Sequence, residues 1–421
     1  MLGWNELHSY NAVHVLRRPE ALDAERLSRV IDGTLESLGL TNLVLSSDNR
    51  GFEYHGGPMP HLINIVSSGS SVHEALRREI EQQINTRFDF RRRFSPFRFF
   101  VVPDGSGFFW GLAYFHAVAD AEAIVQLLRI LSRRYGSGDR AGERDHVQVF
   151  SIDSNYGMTR GAIVTVRKLA TIPSMIAQMR RSHQPRVRDP QDLTNALNLF
   201  SLPNSALPGL LETSRAWKVT INDLFLAILM RSLSSLAADR VRRERRRQIA
   251  LGTIVNTRTD LGLNGRSIFG LFLGSFVIHH EAPDVTSLRQ IASDVREQTA
   301  RIKRQKLYLS TAELSISRFL LSFYSTEKRK KLYQKHYPLW GGITNMNLNA
   351  IWKDEKDAGP DEYLRTVSTG PVTPLVLSVT TVRDRINAAL SYRPSVFSRE
   401  DIAGVQSRLV DLICGLDAAA E

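Results

Sequence analysis

The chain of 421 residues carries a single cysteine, Cys414. One thiol closes no disulfide framework and fills no cysteine-rich zinc site. Long apolar runs are also missing. The longest, 224–230, is far short of the ~20 residues that span a bilayer. The opening MLGWNELHSYNAV has neither a basic stretch nor an apolar one behind it, so it does not read as a secretory signal. Together these absences predict a soluble cytoplasmic protein. There is no fixed-period repeat and no low-complexity tract. No Walker A loop, no GxGxxG after a strand, no GxSxG elbow and no HExxH occurs, which removes the commonest phosphate, serine-hydrolase and zinc-protease signatures. No metal and no tightly held cofactor is expected.

What remains is an ordinary globular composition, 43% hydrophobic and 23% charged. A chain of this length buries a sizeable core without staples. At roughly 150 residues per domain it suggests two or three domains, or one fold with two lobes. Charge is the unusual bulk property. Lys and Arg number 55 against 43 Asp and Glu, a net +12. A field of that sign attracts anionic partners: nucleic acid, acidic proteins or phosphorylated cofactors. The basic clusters at 91–93, 240–247 and 328–331 read as solvated faces. None is interleaved with aromatics, and no zinc-finger, RNP-type or basic-zipper pattern accompanies them. Nucleic-acid binding is therefore not expected, and the protein reads as a monomer.

Hydrophobic periodicity alternates helices and strands. Strands are predicted over 12–16, 43–46, 62–66, 97–102 and 108–115, the last two forming a hairpin through PDGSG. Helices are predicted from Pro19 to Leu38, over 72–88 and over 121–131. The stretch SHQPRVRDPQDLTN, 182–195, is the best linker and divides the chain into lobes of 1–185 and 186–421. Beyond it, 221–236 is apolar on almost every side and predicts a buried helix. Strands follow at 249–255, 271–279 and 342–348. Helices follow at 287–305, 311–322 and 327–336. A terminal hairpin spans 375–383 and 386–392. A helix capped by Ser398 closes the chain. The pattern is α/β in two halves, with mixed sheets.

The segment GLAYFHAVADAEAIVQLL is the most informative. It sets His116 at the C-terminal end of an apolar strand, just before a helix, where ligands of α/β sheets usually bind. A neutral imidazole there can accept a proton near pH 7. Asp120 falls at the helix start, where a carboxylate caps free N–H groups and meets the positive end of the dipole. A satisfied core histidine is the competing reading. The second HxxxD, His280 with Asp284, is polar, contains Pro283 and reads as coincidence. Cys414, beside Leu412, Ile413 and Leu416, reads as a core cysteine rather than a nucleophile.

FHAVADA, with its strand and helix, resembles the HHxxxDG hallmark of the acyltransferase superfamily that holds nonribosomal peptide condensation domains. Chloramphenicol acetyltransferase, wax ester synthases, polyketide-associated acyltransferases and plant BAHD enzymes share it. NAVHVL, FDFRRRFSPFRFFVV, VTINDLFLAIL, IVNTR, FGLFLGSFVI, ITNMNLN and the PLVLSVTTVRDRINAALSYRPSVFS ending also resemble family segments, in the same order. The resemblance implies two chloramphenicol-acetyltransferase-like lobes with mixed sheets and a tunnel between them. His116 would be the general base midway along it. Asp120 would pair with Arg258 and hold the loop. Asn345 is a candidate to orient the acceptor or polarise the carbonyl, with a plain strand role as its alternative, and Ser378 is a weaker one. The donor would be acyl-CoA or a phosphopantetheine thioester on an acyl carrier protein. The acceptor would be a small alcohol or amine. Two departures stand out: Phe115 replaces the first histidine, and Ala121 replaces the closing glycine. They keep open a condensation-like protein that has lost turnover and binds a carrier protein or synthetase. The BAHD motif DFGWG is absent. The run 240–247 is a candidate docking surface for the donor.

Overall fold

The computed structural model describes residues 8–47, 51–69, 71–90, 92–137, 148–149, 177–178, 180–243, 245–263, 268–309, 324–325, 327–328, 331, 339–352, 359–370 and 373–416. The helices predicted over 311–322 and 327–336 lie wholly or largely outside these residues.

The first part of the chain runs β1 (Asn11–Arg18), α1 (Ala24–Ser37), β2 (Leu43–Leu45), β3 (Phe52–Tyr54), β4 (Ile63–Ile65), α2 (Val72–Asn85), β5 (Phe97–Asp104), β6 (Gly107–Phe115), α3 (Ala121–Ser137) and β7 (Gln148–Val149). The middle runs β8 (Ala196–Ser201), α4 (Ala206–Ala216), α5 (Ile221–Ser234), a 3-10 stretch (Ser235–Arg242), β9 (Ile249–Asn256), β10 (Ile268–Phe269), β11 (Leu273–His280) and α6 (Leu288–Arg304). The last part runs β12 (Gly341–Asn347), β13 (Tyr363–Val367), β14 (Leu375–Val382), β15 (Arg385–Tyr392) and α7 (Arg399–Cys414).

Local chemistry explains the boundaries. The first helix starts after Asp23, whose side chain accepts the Arg26 N–H, and not at Pro19. The 5–6 hairpin turns at Gly105, whose φ of +59° favours glycine. Thr220 and Asp223 form a reciprocal capping box on α5. That helix buries Leu224 to Met230 without a break, which accounts for its all-round apolarity. With the 3-10 stretch it is long and apolar enough to cross a membrane by composition, yet most of it is buried inside the protein. Cys414 departs from expectation and is exposed. The last helix turns Ile402, Val405, Leu409 and Ile413 inward, so the next position points elsewhere.

Two mixed sheets dominate. One has the order β13-β1-β6-β5-β4, the other β11-β9-β12-β14-β15-β8. In each, one neighbouring pair or more is parallel: β4 with β5, and β12 with both β9 and β14. The first sheet packs Leu16, Trp110, Leu112 and Tyr114 on one face against Leu27, Ile31, Ile124 and Leu128 of α1 and α3. Its other face packs Val13, Val15, Phe100 and Phe109 against Leu76, Ile80 and Ile84 of α2. The second sheet packs Ile343, Leu377 and Val379 against α5. The strand Tyr363–Val367 comes from the second half of the chain but pairs with Asn11–Arg18 of the first. The two lobes therefore share a strand across the 185/186 division.

Candidate active site

His116 leaves the end of β6 into a tight turn. Its N–H donates to the Tyr10 carbonyl at 2.9 Å, and the Val118 N–H donates to the Phe115 carbonyl at 3.1 Å. The Ala119 carbonyl lies 2.9 Å from His116 Nδ1. A carbonyl only accepts, so Nδ1 carries the hydrogen and Nε2 of the neutral ring is the basic nitrogen. The ring stacks on Tyr10, with centroids 5.3 Å apart, and meets Tyr114 edge-on at 5.5 Å. It is ringed by protein yet only half-buried from solvent. Desolvation lowers its pKa below the usual imidazole range. The Ala119 carbonyl and Asp120 oppose that shift, and the Arg365 charge reinforces it. The ring is thus a neutral base at pH 7.

Asp120 does two structural tasks. Its Oδ1 accepts the Ala123 N–H at 3.0 Å and caps α3. Its two oxygens also accept Arg258 Nη1 and Nη2 at 2.7 and 2.9 Å, and Oδ2 accepts the Phe272 N–H at 2.9 Å. Its own N–H donates to the Gly270 carbonyl at 3.0 Å. Arg258 lies 4.5 Å over the Phe272 ring and is 5% exposed, against 1% for Asp120. A bidentate, buried pair of this kind fixes a loop rigidly. With the Gly270 and Phe272 contacts, it joins the motif loop of one lobe to the other.

The two departures from the resembled motif have plain local settings. Phe115 is fully buried and packs against Phe52, Phe88, Phe90 and Phe94, with centroids 5.4 to 6.4 Å away. An imidazole there would sit in an apolar cage. Ala121 is the first residue of α3 and does not have the positive φ that would call for glycine.

Asn345 is not gathered with the other three. Side chains alternate along a strand. Asn345 therefore shares the face of Ile343 and Val379, which is the helix side of the second sheet. Thr344 and Ser378, paired in register, occupy the face turned to the first lobe. Ser378 is buried, and among the described residues its Oγ has no hydrogen-bond partner. The second HxxxD separates in space: His280 Nε2 lies 3.2 Å from Asp294, while Asp284 pairs with Arg240. Arg240 is buried in that pair, leaving Arg242, Arg243, Arg245 and Arg247 as the exposed part of the basic run.

Sequence reasoning missed the polar groups behind His116. On β13, Arg365 donates to Thr344 Oγ1 at 2.9 Å and to the Thr344 and Val379 carbonyls at 3.1 Å each. These partners are neutral, and burial lowers its pKa to about 10, so it is still a cation at pH 7. His14, opposite it on β1, has Nδ1 2.8 Å from the Tyr363 hydroxyl, and burial lowers its pKa. The only available signal was a charged residue within YLRTV, a segment with no other motif. No three His, Cys, Asp or Glu side chains gather as a metal site among the described residues. Two cavities, of about 560 and 330 Å³, lie on the first lobe, and neither is lined by His116.

No protein-family profile matches the chain, and no curated protein sequence does either. Solved structures do. The first condensation domain of the calcium-dependent antibiotic synthetase, in complex with a substrate analogue, superposes with a TM-score of 0.73 at 16% identity, covering 97% of this chain and 91% of that one. The EpoB cyclization-docking bidomain from Sorangium cellulosum gives 0.70 at 12%, covering 98% and 80%. The epimerization domain from the third module of tyrocidine synthetase B gives 0.65 at 14%, covering 99% and 94%. Identities this low speak to architecture, and on that point they agree: the chain has the two-lobed, chloramphenicol-acetyltransferase-like fold of the condensation domains.

Proposed function

We propose that the protein is an acyltransferase that moves an acyl group from a thioester to a hydroxyl or amine, with His116 as general base. The fold alone does not fix this, because its neighbours are named for condensation, cyclization and epimerization. The observation that carries the reading is the held tautomer of His116. Nδ1–H is tied to Ala119, and Nε2 is left as the base of a neutral, half-buried ring at a junction between lobes.

The reaction follows from that nitrogen. As the acceptor O–H or N–H attacks the thioester carbonyl, its proton passes to Nε2 and the new C–O or C–N bond forms. When the tetrahedral intermediate collapses, the C–S bond breaks and the thiolate takes the proton from the imidazolium. No acyl-enzyme is needed at this site. Asp120 and Arg258 act as positioning residues, since both are occupied by each other and by backbone groups. The donor is acyl-CoA or an acyl carrier protein. Either is anionic and suits a chain of net charge +12.

A thiol-release assay over acyl-CoA and acyl-carrier donors tests the reading. Turnover is expected to fall by about 10²–10⁴-fold in His116→Ala, the usual contribution of a general base. Unchanged turnover in that variant would remove the mechanism. A folded wild type that binds a carrier protein without releasing thiol would support the non-catalytic alternative.

A further inference from the structure

A second histidine is held in a different constellation. His61 lies in the loop before β4, Asp32 on α1, and Ser95 in the turn before β5. His61 Nδ1 is 2.9 Å from Asp32 Oδ1, and His61 Nε2 is 2.7 Å from Ser95 Oγ. The protons can be assigned. A carboxylate only accepts, so Nδ1–H donates to Asp32. In a neutral ring Nε2 is then an acceptor, and the Ser95 hydroxyl can donate to it. The competing acceptor for that hydroxyl, the Phe97 carbonyl, is farther away at 3.1 Å.

The ring is fixed on other sides too. The His61 backbone N–H also donates to Asp32 Oδ1 at 2.9 Å, and the ring meets Phe99 edge-to-face at 5.8 Å. His61 is 4% exposed in its side chain, Asp32 is 32% exposed, and Ser95 is half-buried. A nucleophile is thus hydrogen-bonded to a base, and the base is oriented by a carboxylate. That arrangement is recognised by geometry and not by chain order. It is separate from His116, whose Nδ1 is held by a carbonyl.

We propose that Ser95, His61 and Asp32 form a second acyl-accepting centre, which takes acyl groups from small activated esters and releases them slowly to water. The Ser95 Oγ–carbonyl bond forms while His61 Nε2 takes the hydroxyl proton. The ester C–O bond breaks, and the alcohol leaves with that proton. A water then repeats the two steps, freeing the carboxylic acid and regenerating Ser95. The Phe97 N–H, 3.2 Å away, donates to Ser95 Oγ itself and so helps hold the nucleophile in place. A partly solvated Asp32 holds the imidazole less firmly than a buried carboxylate would.

The test uses the full chain with p-nitrophenyl acetate and, separately, a fluorophosphonate, followed by intact mass and peptide mapping. One adduct per chain is expected, on Ser95. It should be absent in Ser95→Ala, which removes one oxygen and leaves His61 and Asp32 to each other. Its rate should fall about tenfold or more in Asp32→Asn, where the tautomer is no longer enforced. It should persist in His116→Ala, which separates this centre from the one above. An unlabelled Ser95 in folded wild type would overturn the proposal and leave the three side chains as a strut between α1 and two loops. So would a labelling rate indifferent to Asp32→Asn, which marks an ordinary surface serine.

Discussion

Asp120 accepts four hydrogen bonds, two from Arg258 and two from backbone N–H groups. Removing it takes the bidentate partner from the buried Arg258 guanidinium, leaving Glu122 at 3.7 Å and the Ile268 carbonyl at 3.4 Å, and frees the start of α3. Asp120→Ala should therefore lose about 3–5 kcal/mol of stability, measured by denaturant unfolding, as broken buried pairs do. Activity would fall with folding and not through the chemical step; a folded variant with an unchanged unfolding midpoint and no turnover would contradict that. His116, Asp120 and Arg258 were legible because each sits in a segment with its own pattern, and the order of those segments suggested that they meet. Asn345 was misplaced because the sequence shows that a strand is present but not which face looks at the other lobe. Arg365 and His14 were invisible for another reason. Their partners, Thr344, Val379 and Tyr363, are set by sheet pairing and not by local spacing.

At the scale of elements, the hairpin that carries the motif depends on its glycines, Gly111 among them. Gly111 pairs in register with Phe100, and a Cβ built there would lie 2.0 Å from the Phe100 ring. The ring lies over the strand where a side chain would stand. Gly111→Ala should cost about 1–3 kcal/mol through overpacking, read as a lower thermal midpoint, and Phe100→Leu in the same chain should recover part of it. The long amphipathic elements and both hairpins could be read from periodicity and turn residues. Of the short strands, Leu43–Leu45 and Ile63–Ile65 were legible as apolar runs and others were not. Phe52–Tyr54 and Ile268–Phe269 are too brief to show a period, and Tyr363–Val367 is defined by the strand it joins.

The whole molecule buries several histidines in neutral form. Burial lowers His8 and His279 to about 4, and it lowers His14 and His116 in the same direction. Unfolded, each would titrate near ~6.5. Between those values the unfolded chain binds more protons than the folded one, so stability rises with pH across the window and falls on acidification. From pH 7.5 to 4.5, the fully buried His8 alone should lose about 2–3 kcal/mol. Denaturant midpoints at the two pH values check this; equal midpoints would mean that these rings protonate without unfolding. The basic surface adds self-repulsion in the same direction as pH drops.

The strand Tyr363–Val367 carries a last consequence. It closes the outer edge of Asn11–Arg18, supplies the hydroxyl that meets His14, and sends Arg365 into the opposite sheet. A fragment ending near residue 185 would keep the histidine motif but lose this clasp, leaving an open strand edge of the kind that invites aggregation. A nick in the loop 186–194 would have a milder effect, because the severed pieces remain interleaved. The halves are continuous in sequence order but not separable as bodies.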